Sequence, residues 1–248
     1  MGAASSHLGA MEDDAFDTAL IGAAFRLAGE RGWSRVAVAG AAREAGLDLA
    51  RARLRFPGML AVLLKFARMV DRVALVTAPA DGAGTGSVRD RLFELLMRRF
   101  DVLQEHRAGV EALLRYLPTR PGLALLLARA TERSMGWMLE AAGADATGPV
   151  GHLRAKALAG VWLWAVRAWA RDGSEDLAAT MAALDTALGR AEQAATMCGR
   201  WTGRRFEHGA ESPLETTPTP PAGVAPEASA AAKFTEEGSH GQEPENPA

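Results

Sequence analysis

The chain has 248 residues, of which 48% are hydrophobic and 23% are charged, and its formal net charge at pH 7 is −2. This composition is typical of a globular protein with a sizeable core, and the length allows one or two domains. The single cysteine, Cys198, excludes an intramolecular disulfide and a metal site built from cysteines. Because Ala, Leu and Arg are abundant and β-branched residues are sparse, an all-β fold is excluded and a parallel α/β sheet is disfavoured.

The N-terminal part of the chain is predicted to form four helices, because apolar residues recur there at spacings of three and four. Their predicted ranges are residues 12–30, 36–45, 49–55 and 57–76. Asp13, Asp14 and Asp17 lie near the predicted start of the first helix, where the helix dipole favours negative charge. Asp48 is placed to cap the third helix.

The C-terminal part is predicted to form five further helices after a segment rich in proline and glycine, residues 77–86. Their predicted ranges are residues 87–104, 106–116, 121–142, 148–171 and 175–197. Ser87 and Asp90 suit a capping box at the start of the first of these. Residues 207–248 carry a net charge of −7 and seven of the twelve prolines, so we expect a disordered tail whose simplest role is solvation.

The two short helices and the glycine between them have the pattern of a helix-turn-helix. Gly46 accepts a backbone angle that other residues resist, and small residues in the first helix let the two helix axes approach. The stretch VAVAGAAREAGLDLARARLRFPGMLAVLLKF, residues 36–66, resembles the TetR family of transcriptional regulators. The order and number of helices extend this resemblance over roughly residues 12–200.

The resemblance implies an all-α fold of about nine helices. It divides the chain into a helix-turn-helix DNA-binding domain over residues 12–56, a connecting helix over residues 57–76 and a helical ligand-binding and dimerisation domain over residues 87–206. Residues 207–248 form the acidic, proline-rich tail.

The second short helix carries most of the residues that would contact DNA. Family members usually have Ser, Tyr, His and Lys where this chain has Asp48, Arg53, Arg55 and Met59. Residues 31–56 nevertheless contain six arginines and two acidic residues, and arginine contacts phosphate or reads guanine. The residues predicted to contact DNA are Arg43, Arg51, Arg53 and Arg55. The alternative is that these arginines form a solvated face of a helix-turn-helix that no longer binds DNA.

A second resemblance provides an alternative function. A lipid-binding branch of ubiquinone biosynthesis is similar to TetR proteins in fold, and its accessory protein binds an isoprenoid in the C-terminal helices and assists a hydroxylase without acting on DNA. The apolar Leu49, at a position where an exposed polar residue is common, and the tryptophan-rich later helices are similar to that branch. Both functions, a DNA-binding regulator and a lipid-binding accessory protein, are open at this point.

The later helices are apolar on more than one side, so core, a dimer partner or a ligand encloses them, and the TetR resemblance implies a ligand cavity and a dimer interface there. The TetR resemblance implies a homodimer that pairs through its last two helices. The residues predicted to line a pocket for an apolar small molecule or lipid are Phe93, Met97, Phe100, Tyr116, Trp137, Met138 and Trp162. The residues predicted to form the dimer interface are Trp164, Trp169, Leu177, Met181, Leu184 and Leu188. Core packing within one chain is the alternative for both sets.

Other functions have little support in the sequence. It contains no phosphate-binding loop, no nucleophile elbow and no pair of histidines at metal-binding spacing, so we predict no enzyme, no cofactor and no metal site. Neither a targeting signal nor a membrane-spanning segment is evident, and the cytoplasm is the expected compartment. A basic and aromatic cluster, Arg200, Trp201, Arg204 and Arg205, suits a weak contact with a membrane surface.

Overall fold

The computed structural model describes residues 2–76 and 86–207, with side chains described for residue 9 and for residues 11–76 and 86–197. Within these residues the chain forms nine α-helices and two short 3-10 turns and contains no strand, so the predicted all-α fold is confirmed. The α-helices are α1 (Gly2–Arg31), α2 (Val38–Glu44), α3 (Leu49–Arg55), α4 (Met59–Val76), α5 (Val88–Glu105), α6 (Arg107–Tyr116), α7 (Pro121–Ala141), α8 (Gly148–Trp169) and α9 (Ala178–Glu207). The 3-10 turns cover Trp33–Arg35 and Leu117–Thr119.

Most predicted helix boundaries agree with the structure to within a few residues, but the two terminal helices are longer than predicted. Helix α1 begins at Gly2, so the expectation that Asp13, Asp14 and Asp17 interact with the helix dipole is wrong, because they lie well inside the helix. Helix α9 continues to Glu207, past its predicted end near residue 197. Nearly all of the predicted linker and of the acidic tail lies outside the described residues.

The turn between α2 and α3 forms as the sequence predicts. Gly46 has a φ of 66°, a value in the left-handed region that favours glycine. Its N–H donates to the Arg43 carbonyl at 3.1 Å, and the Leu47 N–H donates to the Ala42 carbonyl at 2.8 Å. These two bonds form the Schellman motif that ends a helix, and they orient the start of α3. The Asp48 side chain then accepts from the Arg51 backbone N–H at 2.6 Å and caps α3.

The core between α1 and α6 is built around the Phe25 ring. Its centroid lies 5.0 Å from that of Trp33, 4.1 Å from that of Phe66 and 5.5 Å from that of His106. The Trp33 indole N–H donates to the Gly109 carbonyl of α6 at 2.9 Å. This buried bond fastens the turn after α1 to α6, and through it the helix-turn-helix is held on the later helices.

The core of the later helices contains a second aromatic cluster. The Phe100 ring of α5 lies 4.6 Å from the Trp162 ring and 6.3 Å from the Trp169 ring, both of α8. Beyond α8, the buried Asp172 carboxylate accepts from the backbone N–H and hydroxyl groups of Ser174 and Thr180. These hydrogen bonds fix the path from α8 into α9, and they lower the pKa of Asp172.

Candidate nucleic-acid interface and ligand cleft

Helix α3 presents a mixed apolar and basic face to solvent. Leu54 is 85% exposed and Leu49 and Arg53 are also exposed, while Ala52 on the opposite face is buried. Arg53 borders an apolar cleft of about 390 Å³ that is otherwise lined by the start of α2, by α3 and by the start of α4. In a helix-turn-helix this outer face of the second helix is the one that enters the major groove.

Two of the four arginines predicted to contact DNA lie against α1. Arg51 Nη2 is 2.5 Å from Asp13 Oδ1, and Arg55 Nη1 is 2.7 Å from Asp13 Oδ2. Arg55 also donates from Nε and Nη2 to both oxygens of Asp17, at 2.7 and 2.8 Å. Lys65 of α4 contacts the same Asp17 carboxylate, so this carboxylate joins α1, α3 and α4.

The charges of this cluster stabilise one another. Burial alone would raise the pKa of Asp17, but the hydrogen bonds from Arg55 and Lys65 outweigh it and hold that pKa below its ordinary value. The hydrogen bond from Arg51 likewise lowers the pKa of Asp13. The hydrogen bond to Asp17 raises the pKa of Arg55. Asp13, Asp17 and Arg55 are therefore charged at neutral pH, and their ion pairs hold the inner face of α3 to α1.

Arg43 and Arg53 are the other two arginines of the predicted set, and both are exposed. Neither side chain has an ion-pair or hydrogen-bond partner among the residues that the structure describes. They are therefore available to an anionic partner, whereas Arg51 and Arg55 would have to exchange carboxylates for phosphates. DNA contact by all four arginines stays a prediction.

The contacts of Asp13, Asp17 and Lys65 in this region were not predicted from the sequence. A signal was available, because Asp13 and Asp17 are four residues apart on α1, as are Arg51 and Arg55 on α3. Residues at this spacing share one face of a helix. Two acidic residues on one helix and two basic residues on another, with matching spacing, are a pattern that predicts such a contact.

A cleft of about 350 Å³ lies among α4, α6, α7 and α8. Of the residues predicted to bind a ligand, Trp162 lines this cleft. Phe100 and Met138 are fully buried in the core, Phe93, Met97 and Tyr116 are partly buried elsewhere, and Trp137 is exposed on α7. Contact between these six residues and a ligand stays a prediction, and the position of the cleft does not support it.

Arg99 of α5 borders the cleft and was not predicted. Its Nη1 lies 2.8 Å from Asp71 Oδ1 of α4 and donates to the Ser134 hydroxyl of α7 at 2.5 Å. The Ser134 hydroxyl in turn donates to Asp71 at 2.7 Å. The guanidinium carbon lies 4.5 Å from the centre of the Trp162 ring. Burial lowers the pKa of Arg99, against the attraction of Asp71.

The residues predicted to form the dimer interface separate into two groups. Trp169, Leu177, Leu184 and Leu188 are buried within the single chain, so they pack in its own core and are not available to a second copy. Trp164 is 54% exposed and Met181 is partly exposed.

The side chains of the predicted membrane-contact cluster at residues 200–205 lie outside the described residues, and none of the described helices is long and apolar enough to span a membrane.

Comparison with known proteins gives similarity at the level of structure. No protein-family model and no curated protein sequence matches the chain. The structure is similar to the crystal structure of the TetR transcriptional regulator from Nitrosomonas europaea ATCC 19718, with a TM-score of 0.59 and 22% identity over 71% of this chain and 98% of that chain. It is also similar to a TetR transcriptional regulator from Rhodococcus sp. RHA1, with a TM-score of 0.50 and 19% identity over 73% of this chain and 97% of that chain. The chain therefore has the TetR fold.

Proposed function

We propose that this chain is a DNA-binding transcriptional regulator that acts as a homodimer and is controlled by an apolar small molecule. The observation that carries the proposal is the helix-turn-helix of α2 and α3, which presents the exposed, unpaired Arg53 on its outer face within a TetR fold. The ligand would occupy the cleft among α4, α6, α7 and α8.

The ion pairs with α1 support different roles for the arginines of α3. Arg51 and Arg55 hold α3 in place, and Arg53 reaches the base edges or a phosphate. Leu49 and Leu54 are exposed beside Arg53 and suit the methyl groups of thymine. Arg43, near the end of α2, is placed for a phosphate. Such an interface depends less on phosphate contacts than one with four free arginines, so its affinity falls less steeply with salt.

An exposed stripe on α8 supports the proposed homodimer. Val150, Leu153, Ala157, Gly160 and Trp164 recur at alternating spacings of three and four, and all are exposed in the single chain. This spacing places them on one face of α8, where helices pair through small and apolar residues. A two-fold axis along this face would also set two copies of α3 against the two halves of a palindromic site.

DNA binding is tested by capture of fragments from the genome that encodes this protein, at about 0.15 M salt so that non-specific attraction is damped. We expect a palindromic site, and we expect Arg53→Ala to weaken binding to it by about 1–3 kcal/mol. The control is Arg129→Ala, which removes an exposed arginine of α7 far along the chain from α3. Sequence-indifferent binding, or equal effects of the two substitutions, would contradict the proposal.

The homodimer is tested by sedimentation equilibrium. Trp164→Glu places a charge in the α8 stripe, and we expect it to shift the protein to the monomer and to abolish binding to the palindrome. Trp137→Glu is the matched control, because Trp137 is also an exposed tryptophan but lies on α7. A wild-type protein that is monomeric at micromolar concentration would overturn this part of the proposal.

A further inference from the structure

The guanidinium of Arg99 lies at the wall of the cleft among α4, α6, α7 and α8, and it is buried there without a full set of partners. Arg99 is only 5% exposed, and its Nε has no hydrogen-bond partner among the described residues. Asp71 and Ser134 both contact Arg99 through its Nη1 atom. A buried N–H group that loses water without gaining an acceptor is destabilising, so such groups are rare unless something else satisfies them.

The net charge at this position limits which acceptor fits. Asp71 lies 2.8 Å from Arg99 and already neutralises its charge. A ligand carboxylate would add a second negative charge beside Asp71 in a mostly apolar environment, which is unfavourable. A carbonyl oxygen accepts a hydrogen bond from the guanidinium without changing the net charge.

The rest of the cleft favours an apolar body. Its wall is formed mainly by side chains such as Val70, Leu113, Leu127 and Val166, and its volume of about 350 Å³ lies within the range of small-molecule sites. Trp162 lines the cleft directly beside the guanidinium, so a flat or aliphatic group can pack on the indole while an oxygen approaches Arg99.

We propose that the cleft binds an uncharged, largely apolar molecule that carries one carbonyl oxygen, and that the Arg99 guanidinium donates to this oxygen. This inference rests on the proposed control by a small molecule and specifies its chemical class. It identifies Arg99 as the residue that distinguishes a ketone, ester or lactone from a hydrocarbon of the same shape.

The test compares three probes that share ten carbon atoms, by isothermal titration calorimetry with the full-length protein. Butyrophenone is the neutral ketone, butylbenzene is the hydrocarbon and 4-phenylbutyrate is the carboxylate. We expect butyrophenone to bind about tenfold or more tightly than either of the others, because it alone offers an uncharged acceptor. Equal binding of butyrophenone and butylbenzene, tightest binding of 4-phenylbutyrate, or no binding of any probe would overturn the proposal.

Two variants test the role of Arg99 itself. Arg99→Lys keeps the positive charge beside Asp71 but removes the other N–H groups of the guanidinium, so we expect the preference for the ketone over the hydrocarbon to fall to about threefold or less. Arg98→Lys is the control, because Arg98 pairs with Glu94 and does not line the cleft. An unchanged preference for the ketone in Arg99→Lys would overturn the assignment of Arg99. If that variant does not fold, the order in which the wild-type protein binds the three probes still tests the proposed ligand class. None of these measurements uses DNA, so a failure of DNA binding is recognised separately from a failure of the ligand class.

Discussion

Asp17 of α1 binds Arg55 of α3 through both carboxylate oxygens, at 2.7 and 2.8 Å. Parallel hydrogen bonds of this kind are stronger and more directional than a single ion pair. Asp17 is almost fully buried, and the same carboxylate contacts Lys65 of α4. One side chain therefore sets the position of α3 relative to the two helices that flank it.

The first prediction concerns the removal of this charge. Asp17→Asn leaves Arg55 and Lys65 close together without their shared carboxylate, so we expect the free energy of unfolding to fall by about 1–3 kcal/mol. Asp14→Asn is the matched control on the same helix, because Asp14 pairs with Arg72 at 2.6 Å and both side chains are exposed. The control should change the free energy of unfolding by less than about 0.5 kcal/mol.

Urea denaturation of the two variants measures both values. Similar losses in Asp17→Asn and Asp14→Asn would contradict the assignment of Asp17 as the residue that fixes α3. If the proposed DNA binding is correct, Asp17→Asn also weakens binding to the palindrome, because α3 is no longer held in place. Repulsion is not the cause, since the substitution removes a negative charge.

Local signals in the sequence predicted the helix-turn-helix closely. The predicted bounds of α3 agree with the structure, the Asp48 cap is present, and Gly46 has the positive φ that the turn requires. The capping box of Ser87 and Asp90 is also present at the start of α5. Each of these features is determined by a few neighbouring residues, so a single sequence is sufficient to predict it.

Contacts between distant parts of the chain could not be predicted in the same way. Arg55 and Asp17 are 38 residues apart, and helical periodicity indicates which face of a helix is buried but not what covers it. Arg99 was missed for a related reason, because an arginine on a helix is normally exposed, and only the packing of α4, α7 and α8 shows that this one is buried. The position of the proposed ligand cleft depends on the same packing.

The second prediction concerns the pH dependence of stability. His106 contacts the rings of both Phe25 and Phe66, and burial lowers its pKa, although the charge of Glu105 opposes the shift. Between the folded pKa and the unfolded value of about 6.5, the unfolded state therefore binds more protons, so this group makes the protein less stable as the pH falls. We expect the free energy of unfolding to be lower at about pH 5.5 than at about pH 7.5.

His106→Gln removes the titrating group while keeping a neutral polar side chain of similar size. In this variant the difference in stability between the two pH values should be smaller than in the wild-type protein, as measured by urea denaturation. The ion-paired aspartates do not interfere, because a lowered carboxyl pKa affects stability only at more acidic pH. An identical pH dependence in the variant and the wild-type protein would contradict a partly buried His106 with a lowered pKa.

The third prediction concerns the close approach of α1 and α6. A Cβ atom on Gly109 would lie 2.5 Å from the carbonyl oxygen of Phe25 and 2.8 Å from the Phe25 Cβ, distances at which the two helices must separate. Gly109→Ala would also displace the carbonyl that accepts from Trp33. We therefore expect Gly109→Ala to lower the free energy of unfolding by about 1–3 kcal/mol or more.

Gly136→Ala is the control for Gly109→Ala, because a Cβ on Gly136 of α7 meets nothing within 4 Å. Since alanine favours the helix over glycine, this variant should be as stable as the wild-type protein or more stable by about 0.5–1 kcal/mol. If Gly109→Ala lowers the free energy of unfolding and Gly136→Ala does not, the loss at Gly109 comes from the steric contact and not from helix propensity. A Gly109→Ala protein with wild-type stability and a changed near-UV tryptophan signal would mean that α6 can move away from α1 without cost. In that case the bond between Trp33 and Gly109 does not hold the helix-turn-helix on the later helices.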